Sequence, residues 1–547
     1  MRTILRPFCF LLALAATVRA VDVPAVPTIK DPQAFAVVVI PDLKAALGRI
    51  DLAMAASKLP VPPGILAAQI GGALGDPALA GFAGKPILIA VGPGVPIPAW
   101  CAIVPVANDA ALKGLAAMAG ASVEAVPGGF AIGSMVGGLE LAKRLAPGLP
   151  ELAKTVPAGT DLRVMVAADR LMQTYLPLML MGLQQAMAMQ QQENVSALDQ
   201  QKRQQALTVF LRLFASQAGP ACIDIASSAQ GWRFDAIAAP APGVLADGIK
   251  PMAGTAPDLG ARLGAAEQPP VMACSGRFPP TVYLAFAKLL SEARKDPAIA
   301  GMVDEALVNV MSAFATSIDG SLAMRQGVPG NPFQQLGVLG VTDAAALRQA
   351  MVAGFAFVEK GAFADLLATS GLKMRLERAV RKAGTVEVDR LVQEVIPDVM
   401  PPAQAEMMQA MLKPSEFAIG KDVMVVGSPS AAVDALLAGP AAKPLRLAAA
   451  AIPGQWDLRM DYDLALQMKY QFEMMRAQMP MMPAMFTDVK GGVPVRVAVA
   501  FGAGRVRVVS EVPAELIGQL AASWAAAMPN QGGGRPQPQP APAPQTF

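Results

Sequence analysis

Asp161-Leu162-Arg163-Val164 and Asp457-Leu458-Arg459-Met460 are near copies of one another, set 296 residues apart. Each opens an apolar strand and then runs into a methionine-rich segment, Met172 to Met189 in the first case and Met468 to Met485 in the second. If the match is a duplication, other matches should flank it in the same order. Three do. Asp76-Pro77-Ala78-Leu79-Ala80-Gly81 returns as Asp296-Pro297-Ala298-Ile299-Ala300-Gly301, Val106-Ala107-Asn108-Asp109 as Val341-Thr342-Asp343-Ala344, and Gly133-Ser134 as Gly427-Ser428. The offsets are 220, 235, 294 and 296 in chain order. They rise monotonically, as a duplication with insertions requires.

The largest jump, from 235 to 294, places extra material in the second half. That material includes Leu372 to Val395, where two charged runs flank Ala383-Gly384. We read it as a charged hairpin, with a helix as the alternative. The repeating unit is a strand followed by a helix, with hairpins at Pro127-Gly128-Gly129, Ser228 to Gly231 and Gly502-Ala503-Gly504. Asn108 is placed to cap one helix, Ser196 with Asp199 to form a capping box for another, and alternation points Arg233 and Asp235 outward from their strand. The expected fold is α+β: two tandem pseudo-repeats, 21–265 and 266–529, each an antiparallel sheet with helices packed on one face. A doubly wound α/β sheet is the alternative.

The ends of the chain read differently. Arg2 and Arg6 precede an apolar run from Pro7 to Val18, and Val18-Arg19-Ala20 is a small-residue cleavage site. Residues 1–20 are therefore expected to be a secretory signal peptide, with a short N-terminal anchor as the alternative, and the protein to be exported to the periplasm or beyond the cell. Later apolar stretches are broken by Pro, Gly or charge before reaching the roughly 20 residues that a bilayer helix needs. Residues 530–547, NQGGGRPQPQPAPAPQTF, have the composition of a disordered tail. Arg2, Arg6 and Arg19 account for the whole excess of 45 basic over 42 acidic residues. The mature chain is then neutral and carries no field that draws nucleic acid.

Composition excludes several chemistries. The chain has no histidine, which removes Ser-His-Asp and Cys-His catalysis, HExxH zinc and His-ligated haem. Gly92-Pro93-Gly94 lacks the third glycine of a dinucleotide loop, and Gly420-Lys421 lacks the rest of a phosphate loop. No serine lies in a GxSxG elbow. Asp457, Asp461 and Asp463 lie close together but without the glycine-bearing loop and bidentate Glu of a calcium site. Cys101, Cys222 and Cys274 remain after signal removal, compatible with one disulfide and a free thiol or with strand-core packing.

Methionine is the residue type that stands out, at 31 in the chain. Met475, Met479 and Met482 fall on one helical face, and thioethers are soft ligands that favour Cu(I). Met479-Pro480-Met481-Met482-Pro483-Ala484-Met485 resembles the Met-rich motifs of periplasmic copper-handling proteins, over these few residues and without their histidines. The same face also reads as core filling. The sequence thus points to an exported, non-catalytic protein of the cell envelope, structural or binding in role, with a hydrophobic ligand or an envelope protein as partner and no cofactor. A Met-rich Cu(I)-binding protein and a His-independent hydrolase are the alternatives.

Overall fold

The computed structural model describes residues 23–527 apart from 190–204, 253–257, 265–268, 301–304, 479–485 and a scatter of shorter positions, mostly within 361–370, 397–413 and 487–490. The expected signal peptide (1–20), the tail (530–547), Asn108 and the Ser196–Asp199 capping box lie outside the described residues.

The first strand is the apolar run β1 (Ala36–Ile40). It sits between β2 (Ile87–Gly92) and β6 (Leu162–Ala167), antiparallel to both. On one side β2 continues through β3 (Ala99–Val104) and β5 (Gly129–Ser134) to the edge strand β4 (Ala121–Val126). On the other, β6 continues through β7 (Pro220–Ser228) to β8 (Gly231–Ala238). The sheet does not stop there. β8 pairs along its length with β18 (Arg505–Pro513), which leads through β17 (Val495–Gly502) and β16 (Leu458–Tyr462) to β9 (Met272–Arg277). From β9 the order is β10 (Ile318–Val328), β11 (Asn331–Val341), β15 (Val423–Gly427), β14 (Ser415–Ile419), β13 (Val386–Val395) and β12 (Leu372–Ala383).

The described strands therefore form one antiparallel sheet of 18, in a mixed α+β fold. Every pairing among them is antiparallel, which removes the doubly wound alternative. The charged stretch 372–395 is the expected hairpin, turning at Gly384.

Helices cover both faces rather than one. Helices α1 (Leu43–Ala56), α2 (Ile65–Ala73) and α3 (Ala110–Met118) close over Ile87, Val104 and Ile132. Helices α4 (Gly138–Leu145) and α5 (Leu149–Lys154) close over the opposite side chains Val37, Leu88, Cys101, Ile103 and Met165. The reason lies in the strands: β1 to β3 are apolar at consecutive positions, so alternation presents an apolar surface on each side and each must be buried. The second half does the same. Helices α7 (Pro280–Ala293), α8 (Glu305–Thr316) and α9 (Ala344–Glu359) lie over one face, and α10 (Ser430–Ala438) over the other. The long Met-rich helix α6 (Ala168–Met189) links β6 towards β7, while α11 (Leu464–Gln478) and α12 (Ala514–Ala527) pack near the middle of the sheet.

Where the halves meet, one face of the sheet is ionic. Arg163 on β6 grips Asp224 on β7 with two bonds of 2.6 and 2.7 Å, and Asp224 lies opposite Asp235 on β8. Arg507 on β18 grips Asp235 in turn at 2.9 and 2.6 Å, and its guanidinium lies 5.3 Å from the Trp456 ring centroid. Arg233 bonds Glu511, which Arg496 also meets at 3.0 Å. Arg233 and Asp235 thus do not face open water as alternation alone suggested. The strand added beside β8 supplies counter-charges that half-bury them.

Candidate functional site

Pro280 opens α7 at its first turn, where a missing N–H costs nothing. Helix α8 runs directly into β10, and Asp343 caps α9 by accepting hydrogen bonds from the Ala345 and Ala346 amides at 3.0 and 2.9 Å. The three helices lean on the same sheet face but do not fill the space between them. A cavity of about 250 Å³ remains, and its lining surface is wholly apolar.

Helix α8 contributes Val310, Met311 and Phe314, and α9 contributes Ala350, Met351, Gly354 and Phe355. Both sets follow the spacing of a single helical face. Tyr283 of α7 closes the third side, with its ring 5.7 Å from Phe314 at 82°, edge to face. Burial pushes the Tyr283 hydroxyl above its ordinary range. The chamber owes part of its shape to Gly354: a Cβ there would stand 3.3 Å from Val310 Cγ1, so the glycine sets how closely α8 and α9 approach. Aromatic contacts continue inward from the wall, Tyr283 to Phe278 at 5.3 Å and Phe278 to Phe501 of β17 at 5.3 Å.

A cavity of roughly 150 Å³ lined by aliphatic and aromatic groups stays dry and admits benzene. This one is larger and opens to solvent, and its lining offers an entering water no polar partner. It suits an uncharged apolar group beyond one ring in size. A second hollow of about 500 Å³, at the far end of the first half, is walled by loop residues including Pro86, Pro105, Pro127 and Pro147, with Lys85 its one charge. Helix-built walls hold their shape better than loops do, so the three-helix chamber is the stronger candidate.

The residues singled out from the sequence are placed elsewhere. Met475 is half-buried on α11, whereas Met479 and Met482 lie outside the described residues. Met468 of the same helix packs against the cluster of Phe486 and Leu516. The three acids near the second copy of the repeat do not converge, because each carboxylate is occupied by different amides. Asp457 accepts from Phe501 N at 2.7 Å, Asp461 from Ala448 N and Ala449 N at 2.5 and 2.8 Å, and Asp463 from Leu466 N and Gly492 N at 2.9 and 2.6 Å. Burial raises the Asp457 and Asp461 carboxyls above their ordinary range. Among the described residues no three His, Cys, Asp or Glu side chains gather as a metal site. Cys101, Cys222 and Cys274 are all buried free thiols, and burial pushes each up to about 11.

Nothing in the sequence marked the chamber residues. Their apolar spacing on 310–314 and 350–355 is that of any core-facing helix, and only the misfit between three such faces makes a cavity. No described helix is long and apolar enough to cross a membrane. In comparisons with known proteins the chain matches no family model, no curated protein and no solved structure.

Proposed function

We propose that this chain is an exported, non-catalytic protein of the cell envelope, built as two tandem pseudo-repeats, 21–265 and 266–529, that holds an uncharged hydrophobic ligand in the chamber between α7, α8 and α9. The observation that carries the reading is the wholly apolar lining of a 250 Å³ hollow, open to solvent on one side and walled by three helices. Its one titratable group is the Tyr283 hydroxyl, so the chamber offers no acid–base pair, and the chain has no histidine to supply one.

The duplication is supported by strand order. Outward from the β8–β18 seam the first half runs β8, β7, β6, β1, β2, β3, β5, β4, and the second β18, β17, β16, β9, β10, β11, β15, β14. Each strand has its counterpart at the same place in its half, with β13 and β12 added at the end. The repeated Asp-Leu-Arg also acts alike: Asp161 accepts from Ser227 N of β7, and Asp457 from Phe501 N of β17. A superposition in which matched strands run in opposite directions would refute the duplication.

Native mass spectrometry of the exported protein tests the rest. The expected mass begins at Val21 and carries an apolar adduct, or takes up N-phenylnaphthylamine at one per chain. Ala350→Phe, which fills the chamber, should abolish uptake while the far-UV circular dichroism is unchanged. A mass beginning at Met1 sinks export. A bare wild type that takes up no dye, or equal uptake by Ala350→Phe, sinks the chamber.

A further inference from the structure

Four large hydrophobic side chains are far more exposed than any others described: Met118 at 80%, Met135 at 80%, Val136 at 76% and Ile97 at 74%, with the next at 57%. They sit on three separate connections, the end of α3, the turn between β5 and α4, and the loop between β2 and β3. Strand register brings the three together. Gly92 of β2 pairs with Ala99 of β3, Cys101 of β3 with Gly133 of β5, and Ser134 of β5 with Ala121 of β4. All three connections therefore leave the same end of the first-half sheet. Ser134 ties two of them, donating to Val136 O and accepting from Trp100 N, both at 3.2 Å. None of 91–99, 117–123 or 132–139 contains a charged residue.

We infer that this end of the protein is a membrane-surface contact, in which Ile97, Met118, Met135 and Val136 insert into the interfacial region of a bilayer of uncharged headgroup. Area and composition argue for lipid over protein. At roughly 100 Å² of apolar surface per side chain the crown offers about 400 Å², half the ~800 Å² per partner that a standard protein interface buries. It also lacks exposed Trp, Tyr or Arg, the residues that carry protein hot spots, and the charges that border it, Glu124, Glu140 and Lys143, are paired with one another. Exposed apolar side chains on uncharged connections need no complementary surface to enter the acyl boundary, where transfer of apolar area alone drives them. Without a basic residue in the three connections, anionic lipid should add nothing. The inference is independent of the chamber, which lies in the other half of the chain.

The test is sedimentation of the exported full chain with phosphatidylcholine vesicles at 0.1 and 0.5 M NaCl, beside the variant Ile97→Ser/Met118→Ser/Met135→Ser/Val136→Ser. All four side chains are at least 74% exposed, so the variant should keep its circular dichroism and melting temperature. Expected are salt-insensitive binding by the wild type and at least a tenfold loss in the variant. Wild type that stays in the supernatant overturns the inference, as does a variant that binds equally well. Binding confined to anionic vesicles and lost at 0.5 M NaCl overturns it in favour of electrostatic attachment. A wild-type dimer in analytical ultracentrifugation that the variant abolishes, without vesicle binding, overturns it in favour of a protein contact.

Discussion

Arg507→Met should loosen the seam between the halves. In the folded protein the Arg507 guanidinium holds both oxygens of Asp235 at 2.9 and 2.6 Å and lies over Trp456. Asp235 lies opposite Asp224, and each of these neighbouring acids is neutralised by one arginine on its outer side. Removing Arg507 leaves Asp235 with Arg233, 4.0 Å away, as its remaining ion pair among the described residues. Breaking a fully buried pair costs about 3–5 kcal/mol. The Arg507 and Asp235 side chains are 28% and 20% exposed, so solvent reduces this to about 2–3 kcal/mol. Loss of the stacking on Trp456 adds about 0.5 kcal/mol, for a total near ~3 kcal/mol. With about 2.1 cal/mol/K per residue, the unfolding entropy of a 547-residue chain is about 1.1 kcal/mol/K, so the melting temperature should fall by about 3 °C. A urea-unfolding cycle of Arg507→Met, Asp235→Leu and the double variant should give a coupling of about 2 kcal/mol. Coupling below about 0.5 kcal/mol, the usual worth of an exposed surface pair, would refute the argument that this fork holds the seam.

Two further outcomes follow from burial. The Asp457 carboxyl is raised in the folded state, so it disfavours folding at neutral pH; that opposition disappears as pH falls through its folded value and is gone below the unfolded value near ~3.9. Asp457→Asn, which keeps an acceptor for Phe501 N, should equal or exceed the wild type in urea midpoint at pH 7 and converge with it near pH 3.5, whereas Asp457→Ala loses stability at both; an Asn variant as weak as Ala at pH 7 would contradict the account. For the cysteines, 5,5′-dithiobis(2-nitrobenzoate) should label no thiol in the folded protein lacking residues 1–20 at pH 8 and three after denaturation. Fewer than three on denaturation would mean a disulfide.

Much of the local structure was legible because it depends on neighbours in sequence. Alternation and turn residues located β6, the 372–395 hairpin and the Gly502–Gly504 turn. Asp343 capping α9 belongs to the same class of short-range information. The faces of the sheet were misread because an apolar strand shows that both sides are buried without showing what covers them. Arg233 and Asp235 were read as outward because their partners Glu511 and Arg507 are more than 270 residues away.

Sequence alone determined that this chain lacks histidine chemistry, that its strands turn back on one another in hairpins, and that the same short motifs recur in order. Only tertiary structure decided that β8 and β18 join the halves into one sheet, that the acids around Asp457 each serve a different set of amides, and that α7, α8 and α9 leave a chamber. The physical reason is the same in each case. Periodicity and capping are local properties, whereas an ion pair across a seam, a carboxylate's choice of amide and the gap between three helices arise from distances between residues that the chain order keeps far apart.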